Sequence, residues 1–238
     1  MRPMPLVCLP FAGAGASVYR LWTPLSDGEL DVIPVQLPGR EDRIDEEPYR
    51  DVGKAVDEIL PEVLARLSGR GEAALFGHSM GAVLAYELAH ALADRAGVRI
   101  ALLVASGSHG PWDIRGERVS HLTDEEFLRS VHRFAGYRPP ALEDPDFREM
   151  MLPVLRADAE MHEGYVPSSD FPLPAPILTV RGAEDAVVSA AETGQWSRAS
   201  AHQLRSAELP GGHMYLTESP ETLLRLIVDV VKQSAGPA

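Results

Sequence analysis

The chain has 238 residues, 45% of them hydrophobic, and a net charge of −13. That length and composition suit one α/β domain with a large core, and the acidic balance argues against non-specific binding to nucleic acid or to an anionic membrane surface. A single cysteine, Cys8, excludes an intrachain disulfide and a cysteine zinc cage, and no run of 18 apolar residues offers a transmembrane helix.

Residues 6–9 are a short apolar run ended by Pro10, which predicts a buried parallel strand with Cys8 as a small core side chain rather than a reactive thiol. Arg2 followed by residues 6–16 also has the outline of a signal peptide. Cleavage there would delete a core strand and the loop after it, so the expectation is an uncleaved, cytoplasmic protein. Residues 11–16 lead into a helix expected from Ser17 onward, carrying Tyr19, Leu21 and Trp22. Gly13-x-Gly15 resembles half of a dinucleotide-binding fingerprint. Val18 stands where the third glycine belongs, and no acid ends the next strand, expected over 32–37, so no cofactor is expected. The better use of such a loop is to bring a backbone N–H to a nucleophile.

A charged segment, expected as a solvated loop, runs to Tyr49. Val52, Val56, Ile59, Leu60, Val63, Leu64 and Leu67 then recur at helical spacing. Residues 73–76 predict a buried strand, followed at once by Gly77-His78-Ser79-Met80-Gly81 and an apolar helix. Gly-x-Ser-x-Gly between a strand and a helix is the nucleophile-elbow pattern. The turn lifts the serine Oγ clear of the sheet, and glycines two residues either side avoid collisions with neighbouring backbone. The N-terminal N–H groups of the helix point at any negative charge that develops there.

Residues 100–105 predict a third buried strand. The stretch 107–176 is too long for a simple crossover and is expected as an inserted lid subdomain within the single domain 1–238. It carries a capping box at Thr123-Asp124-Glu125-Glu126 and a second helix opened by Asp144-Pro145, with Pro153 expected to kink the latter. Strands at 177–180 and 203–209 flank a helix around 190–200, and a last helix follows Ser219-Pro220. The alternation predicts a mostly parallel sheet with helices on both faces.

A serine hydroxyl needs a base to take its proton and a third group to hold that base. Ser79, Asp185 and His213 all follow predicted strands, in the chain order of α/β-hydrolases. Because parallel strands end on one edge, residues distant in sequence can converge there. Glu184 and Asp113 compete with Asp185 for the acid, although Ser106-Gly107-Ser108 occupies the earlier strand end. His78 is expected to orient the elbow rather than serve as base. The N–H groups of Met80 and Ala12, with Phe11 as the alternative to Ala12, are the expected oxyanion donors. No metal site is expected.

Several segments together resemble the type II thioesterases that accompany polyketide and non-ribosomal peptide synthases. They are Leu9-Pro10-Phe11-Ala12-Gly13, Val35-Gln36-Leu37-Pro38-Gly39-Arg40-Glu41, Phe76-Gly77-His78-Ser79-Met80-Gly81-Ala82, Leu152-Pro153-Val154-Leu155-Arg156-Ala157-Asp158 and Gly211-Gly212-His213. The resemblance implies an α/β-hydrolase fold and a free-standing editing enzyme. Such an enzyme hydrolyses stalled acyl groups from the phosphopantetheine arm of acyl or peptidyl carrier proteins; for oligomeric state, which the sequence leaves open, a monomer is the default expectation. It also implies Ser79, Asp185 and His213 as the triad. Ala14 replaces a usual glycine and Tyr137 interrupts a Gly-Gly turn, which bears on acyl preference. Met80, Met150, Met151 and Met161 are candidates for a soft acyl wall. Carrier proteins are generally acidic, as is this chain, so docking needs a local patch; Arg115, Arg118, Arg133 and Arg138 are candidates. An esterase or lipase acting on free acyl substrates, an acyltransferase and a non-catalytic receptor on the same scaffold are the competing readings.

Overall fold

The computed structural model describes residues 2–112, 118–135 and 140–234. Six strands form one sheet: β1 (Met4–Leu9), β2 (Leu30–Pro34), β3 (Glu72–His78), β4 (Arg99–Ser106), β5 (Ile177–Gly182) and β6 (Arg205–Leu209). Their spatial order is β2-β1-β3-β4-β5-β6, and every neighbouring pair is parallel. The helices are α1 (Ser17–Arg20), α2 (Val52–Leu67), α3 (Met80–Ala96), α4 (Asp124–Ala135), α5 (Pro145–Glu163), α6 (Ala190–Gly194), α7 (Tyr215–Glu218) and α8 (Pro220–Ser234). The chain jumps from β2 across β1 to β3, so the strand order reverses there. The carboxyl ends of β1 and β3 flank that crevice, where open α/β sheets bind their ligands.

Alternation along each strand divides the core into two layers. Val7, Leu9, Leu75 and Leu103 face α2 and α3, whereas Leu6, Cys8, Phe76 and Val104 face α8 and an aromatic knot of Tyr19, Trp22 and Tyr215. Tyr19, Trp22 and Phe76 meet edge to face, with centroids 4.9–5.8 Å apart. Burial pushes the Cys8 thiol pKa up, in keeping with a packing role. Among the described residues, no helix is long and apolar enough to cross a membrane.

Three expectations change. β2 ends at Pro34 rather than residue 37, because Pro10 has already ended its partner β1 and only Val35 adds one further bond, to the Cys8 carbonyl. The helix expected from Ser17 is one turn long, and Leu21 is exposed. The helix expected around 190–200 is α6 followed by a 3₁₀ stretch at Gln195–Ala199. The second helix of the insertion, α5, forms after Asp144 as expected and includes Pro153. The connection from β4 to β5 holds α4 and α5, which share a small core of Val119, Phe127, Leu142 and Leu155.

The elbow glycines are forced by contact. A Cβ on Gly77 would lie 1.9 Å from the Gly81 carbonyl oxygen, and one on Gly81 would lie 2.5 Å from that of Leu9. Both obstacles are backbone and cannot rotate away. Gly77→Ala is therefore expected to cost at least about 3 kcal/mol in urea denaturation. Gly71→Ala, whose Cβ meets nothing within 4 Å, should change stability by no more than about 0.5 kcal/mol.

Candidate active site

Ser79 joins β3 directly to α3 with φ 52° and ψ −120°, a backbone conformation that side chains rarely adopt. Its N–H donates to the Ser106 carbonyl at 2.8 Å, pinning the turn to β4, and its side chain is partly exposed. Met80 opens α3, so its N–H is among those that a helix leaves without an internal partner.

Asp185 follows β5 and His213 follows β6, and His213 Nδ1 lies 2.9 Å from Asp185 Oδ2. Both residues are buried. The other carboxylate oxygen accepts the N–H groups of Val187 (2.8 Å) and Val188 (3.1 Å). Burial raises the Asp185 pKa, but the His213 hydrogen bond and charge and the two N–H donors outweigh it and hold the carboxyl below its ordinary value. Glu184, the competing acid, accepts the Gly211 N–H at 2.6 Å and braces the turn before His213. Asp113 lies outside the described residues.

His78 packs its ring against that of His213, with centroids 4.7 Å apart. Its Nδ1 meets Ser106 Oγ at 2.9 Å, and Ser106 Oγ meets Tyr215 OH at 2.6 Å. Among the described residues, no hydrogen bond within 3.5 Å joins Ser79 Oγ to His213, a bond that often tightens only when substrate binds.

The loop after β1 lies beside the elbow, since the Leu9 and Pro10 carbonyls approach Gly81. An ion pair with no counterpart in the sequence reading holds this loop. Arg40 and Asp158 are both buried and bond in a fork, Nη1 to Oδ2 at 2.7 Å and Nη2 to Oδ1 at 2.8 Å. Asp158 Oδ2 also accepts the Gly13 N–H at 2.8 Å.

Residues 4–230 match the Thioesterase domain family. The chain belongs to the thioesterase family. The thioesterase is 33% identical to linear gramicidin dehydrogenase LgrE of Brevibacillus parabrevis, over 91% of this chain and 83% of that protein. It is 32% identical to thioesterase PikA5 of Streptomyces venezuelae, over 97% and 82%. It superimposes on the type II thioesterase BorB of the borrelidin biosynthetic cluster with a TM-score of 0.86 and 33% identity, over 96% of this chain and 93% of that one. It is thus a hydrolase of thioester bonds with the α/β-hydrolase fold.

The glycine loop of the thioesterase is held by carboxylates of its own chain. The Gly13 N–H donates to the Asp158 carboxylate, and the Glu41 carboxylate accepts the Ser17 N–H at 3.2 Å. The four methionines do not form one wall: Met80 and Met161 belong to the main core, Met151 packs on the inserted helices, and Met150 is exposed. Arg118 and Arg133 are exposed, and Arg115, Tyr137 and Arg138 lie outside the described residues.

Burial, and then the neighbouring His213, hold the His78 pKa well below its ordinary value. His78 therefore stays neutral when folded and gains a proton on unfolding below about pH 6.5. The unfolded state then binds more protons, so stability is full above that pH and falls below it. The urea midpoint should hold from pH 8 to 7 and drop between about pH 6.5 and 5. His78→Gln should flatten the drop in part, with His90, also depressed by burial, keeping a remainder. An identical drop in His78→Gln would refute the assignment.

Proposed function

We propose that the protein is an editing thioesterase that removes acyl groups from the phosphopantetheine arm of acyl or peptidyl carrier proteins through a Ser79–His213–Asp185 triad. The observation that carries the triad is the 2.9 Å bond between His213 Nδ1 and Asp185, made beside an elbow that presents a partly exposed serine at the head of α3. With Nδ1 engaged, Nε2 is the ring atom left to take a proton.

His213 Nε2 accepts the Ser79 Oγ proton as Oγ attacks the thioester carbonyl. The oxygen becomes an oxyanion, and the N–H groups of Met80 and Ala12 stabilise it. Collapse breaks the C–S bond, and His213 returns its proton to the departing phosphopantetheine thiolate. Water, deprotonated by the same imidazole, attacks the acyl-Ser79 ester. The acid leaves and Oγ regains its proton. The buried Asp185 carboxylate holds the tautomer and stabilises the imidazolium formed in both halves.

The carrier-bound substrate is supported by the relatives, which include a type II thioesterase from a biosynthetic cluster and proteins named for gramicidin pathways. The insertion 107–176, placed after the carboxyl end of β4, suits a lid over the acyl chain. The enzyme would work as a cytoplasmic monomer, with no cofactor, metal, membrane or nucleic acid.

Purified protein offered acetyl-, propionyl- and longer acyl-carrier proteins should release the acyl group, read as mass loss on the intact carrier. Ser79→Ala and Asp185→Asn should each lower kcat by at least about 10³-fold. Full activity in Ser79→Ala would reject the nucleophile. Turnover of simple esters without turnover of acyl carriers would favour a small-molecule esterase, and transfer of the acyl group to an acceptor other than water would favour an acyltransferase.

A further inference from the structure

We propose that residues 36–41 and Asp158 form a clamp that positions the Ala12 N–H beside Met80, making Arg40 and Asp158 positioning residues for the oxyanion hole. The inference rests on the reading of Ala12 and Met80 as oxyanion donors and assigns it a mechanical support.

The clamp is visible in the partners of the loop after β1. The Ala16 N–H donates to Gln36 Oε1 at 3.0 Å, while Gln36 Nε2 is itself held by the carbonyls of Leu37 (2.9 Å) and Arg40 (3.0 Å). Glu41 accepts the N–H and the hydroxyl of Ser17. Arg40 Nη1 donates to the Ala14 carbonyl at 3.3 Å, and Nε to that of Pro38 at 3.2 Å. The Gly13 N–H, one residue past Ala12, donates to Asp158 at 2.8 Å. Gly13 has φ +76°, and a Cβ there would lie 2.6 Å from Leu155 Cδ2, so α5 rests directly on the loop.

Five of the six residues of Gln36-Leu37-Pro38-Gly39-Arg40-Glu41 thus act on the loop or on one another. Among the described residues, the Ala12 N–H donates to nothing. The flanking Phe11 carbonyl accepts the Ala14 N–H at 2.9 Å, which closes the turn around it. An N–H held in this way needs no reorganisation when an oxyanion forms, which is the condition under which such donors accelerate a reaction. Two of the chain's long sequence motifs, ending in Glu41 and Asp158, gain one shared task.

Asp158→Asn preserves shape and removes the charge that holds both Arg40 and Gly13. The expected result is a fall in kcat per active site on acyl carrier of roughly 10- to 100-fold with KM changed less than about 2-fold. Affinity for an alkyl boronic acid, whose tetrahedral adduct on Ser79 places an oxygen in the same hole, should fall in parallel. Arg40→Lys, which keeps the charge but loses the fork, should lie between Asp158→Asn and wild type. Active sites are counted by fluorophosphonate titration, so loss of folded protein does not mimic the effect. Unchanged kcat and boronate affinity in Asp158→Asn, with only a lowered melting temperature, would overturn the clamp. Should the variants fail to fold, amide exchange in the wild-type protein decides: the Gly13 N–H should be protected like the amides of α5, and exchange as fast as that of Ala12 would overturn the proposal. An active Ser79→Ala would instead bring down the underlying site reading, whereas inactive Ser79→Ala beside a fully active Asp158→Asn rejects the clamp alone.

Discussion

The structure depends on one strained residue. Holding Ser79 at φ 52° and ψ −120° opposes folding by about 1–3 kcal/mol, and the turn persists because both of its arms are over-determined. β3 is paired on both sides, to β1 and β4, and α3 buries an unbroken run from Met80 to Leu92. Neither arm can rotate to relax the serine without breaking a ladder or lifting a helix off the core. The same rigidity excludes side chains at Gly77 and Gly81 and draws the end of β1 against the head of α3. One local constraint thus sets the position of the hydroxyl, the orientation of the helix N-terminus and the approach of the loop after β1.

Around that fixed point, buried charges join distant segments. Arg40 and Asp158, 118 residues apart in sequence, bond with 2% and 1% of their side-chain surfaces exposed. Such pairs add little net stability over an apolar substitute, yet losing one partner costs about 3–5 kcal/mol because the other charge is stranded. This one is consistent with a role in specifying geometry. Glu87 repeats the pattern: inside the apolar run of α3 it accepts Tyr165 OH at 2.6 Å and the Ser168 N–H at 3.2 Å. Each buried carboxylate ties the insertion to the sheet domain, Asp158 from within α5 and Glu87 through the residues just after it.

Much of this was legible because it is local. An elbow is written in five consecutive residues, and the strand–helix alternation follows from apolar runs and periodicity. Asp185 and His213 were placed by the ends of their strands, and they are hydrogen-bonded. What escaped was non-local. The end of β2 depends on where its partner stops, which no single segment states. Arg40 stood in the motif that ends the second strand with no partner assigned to it, because charged residues usually face water. One signal did exist: Asp158 shares a helical face with Val154, Leu155 and Met161, all buried. A carboxylate in the middle of an apolar face must have a partner, and the neighbouring motif ending in Arg40-Glu41 offered the cation. Nothing in either segment says that the pair also holds Gly13, because a backbone donor leaves no trace in sequence.

The attachments also divide the insertion into unequal parts. α5 is bonded to the sheet domain through Asp158, near its middle, and its last turn leads into the Glu87 contacts. α4 has a different support. Its approach is held by α5 itself: Arg156 donates to the Leu122 carbonyl at 2.9 Å and to Asp124 at 2.7 Å, and Glu163 accepts the Val119 and Ser120 N–H groups at 2.7 and 3.0 Å. The order of dependence therefore runs from elbow to loop, from loop to α5, and from α5 to α4. Displacing α4 would break contacts within the insertion and expose its small core, leaving Arg40 and Asp158 joined. Displacing α5 would strand a buried arginine and release Gly13 at the same time. A displacement that leaves the loop after β1 in place must therefore be carried by α4, with α5 still bonded to that loop through Asp158.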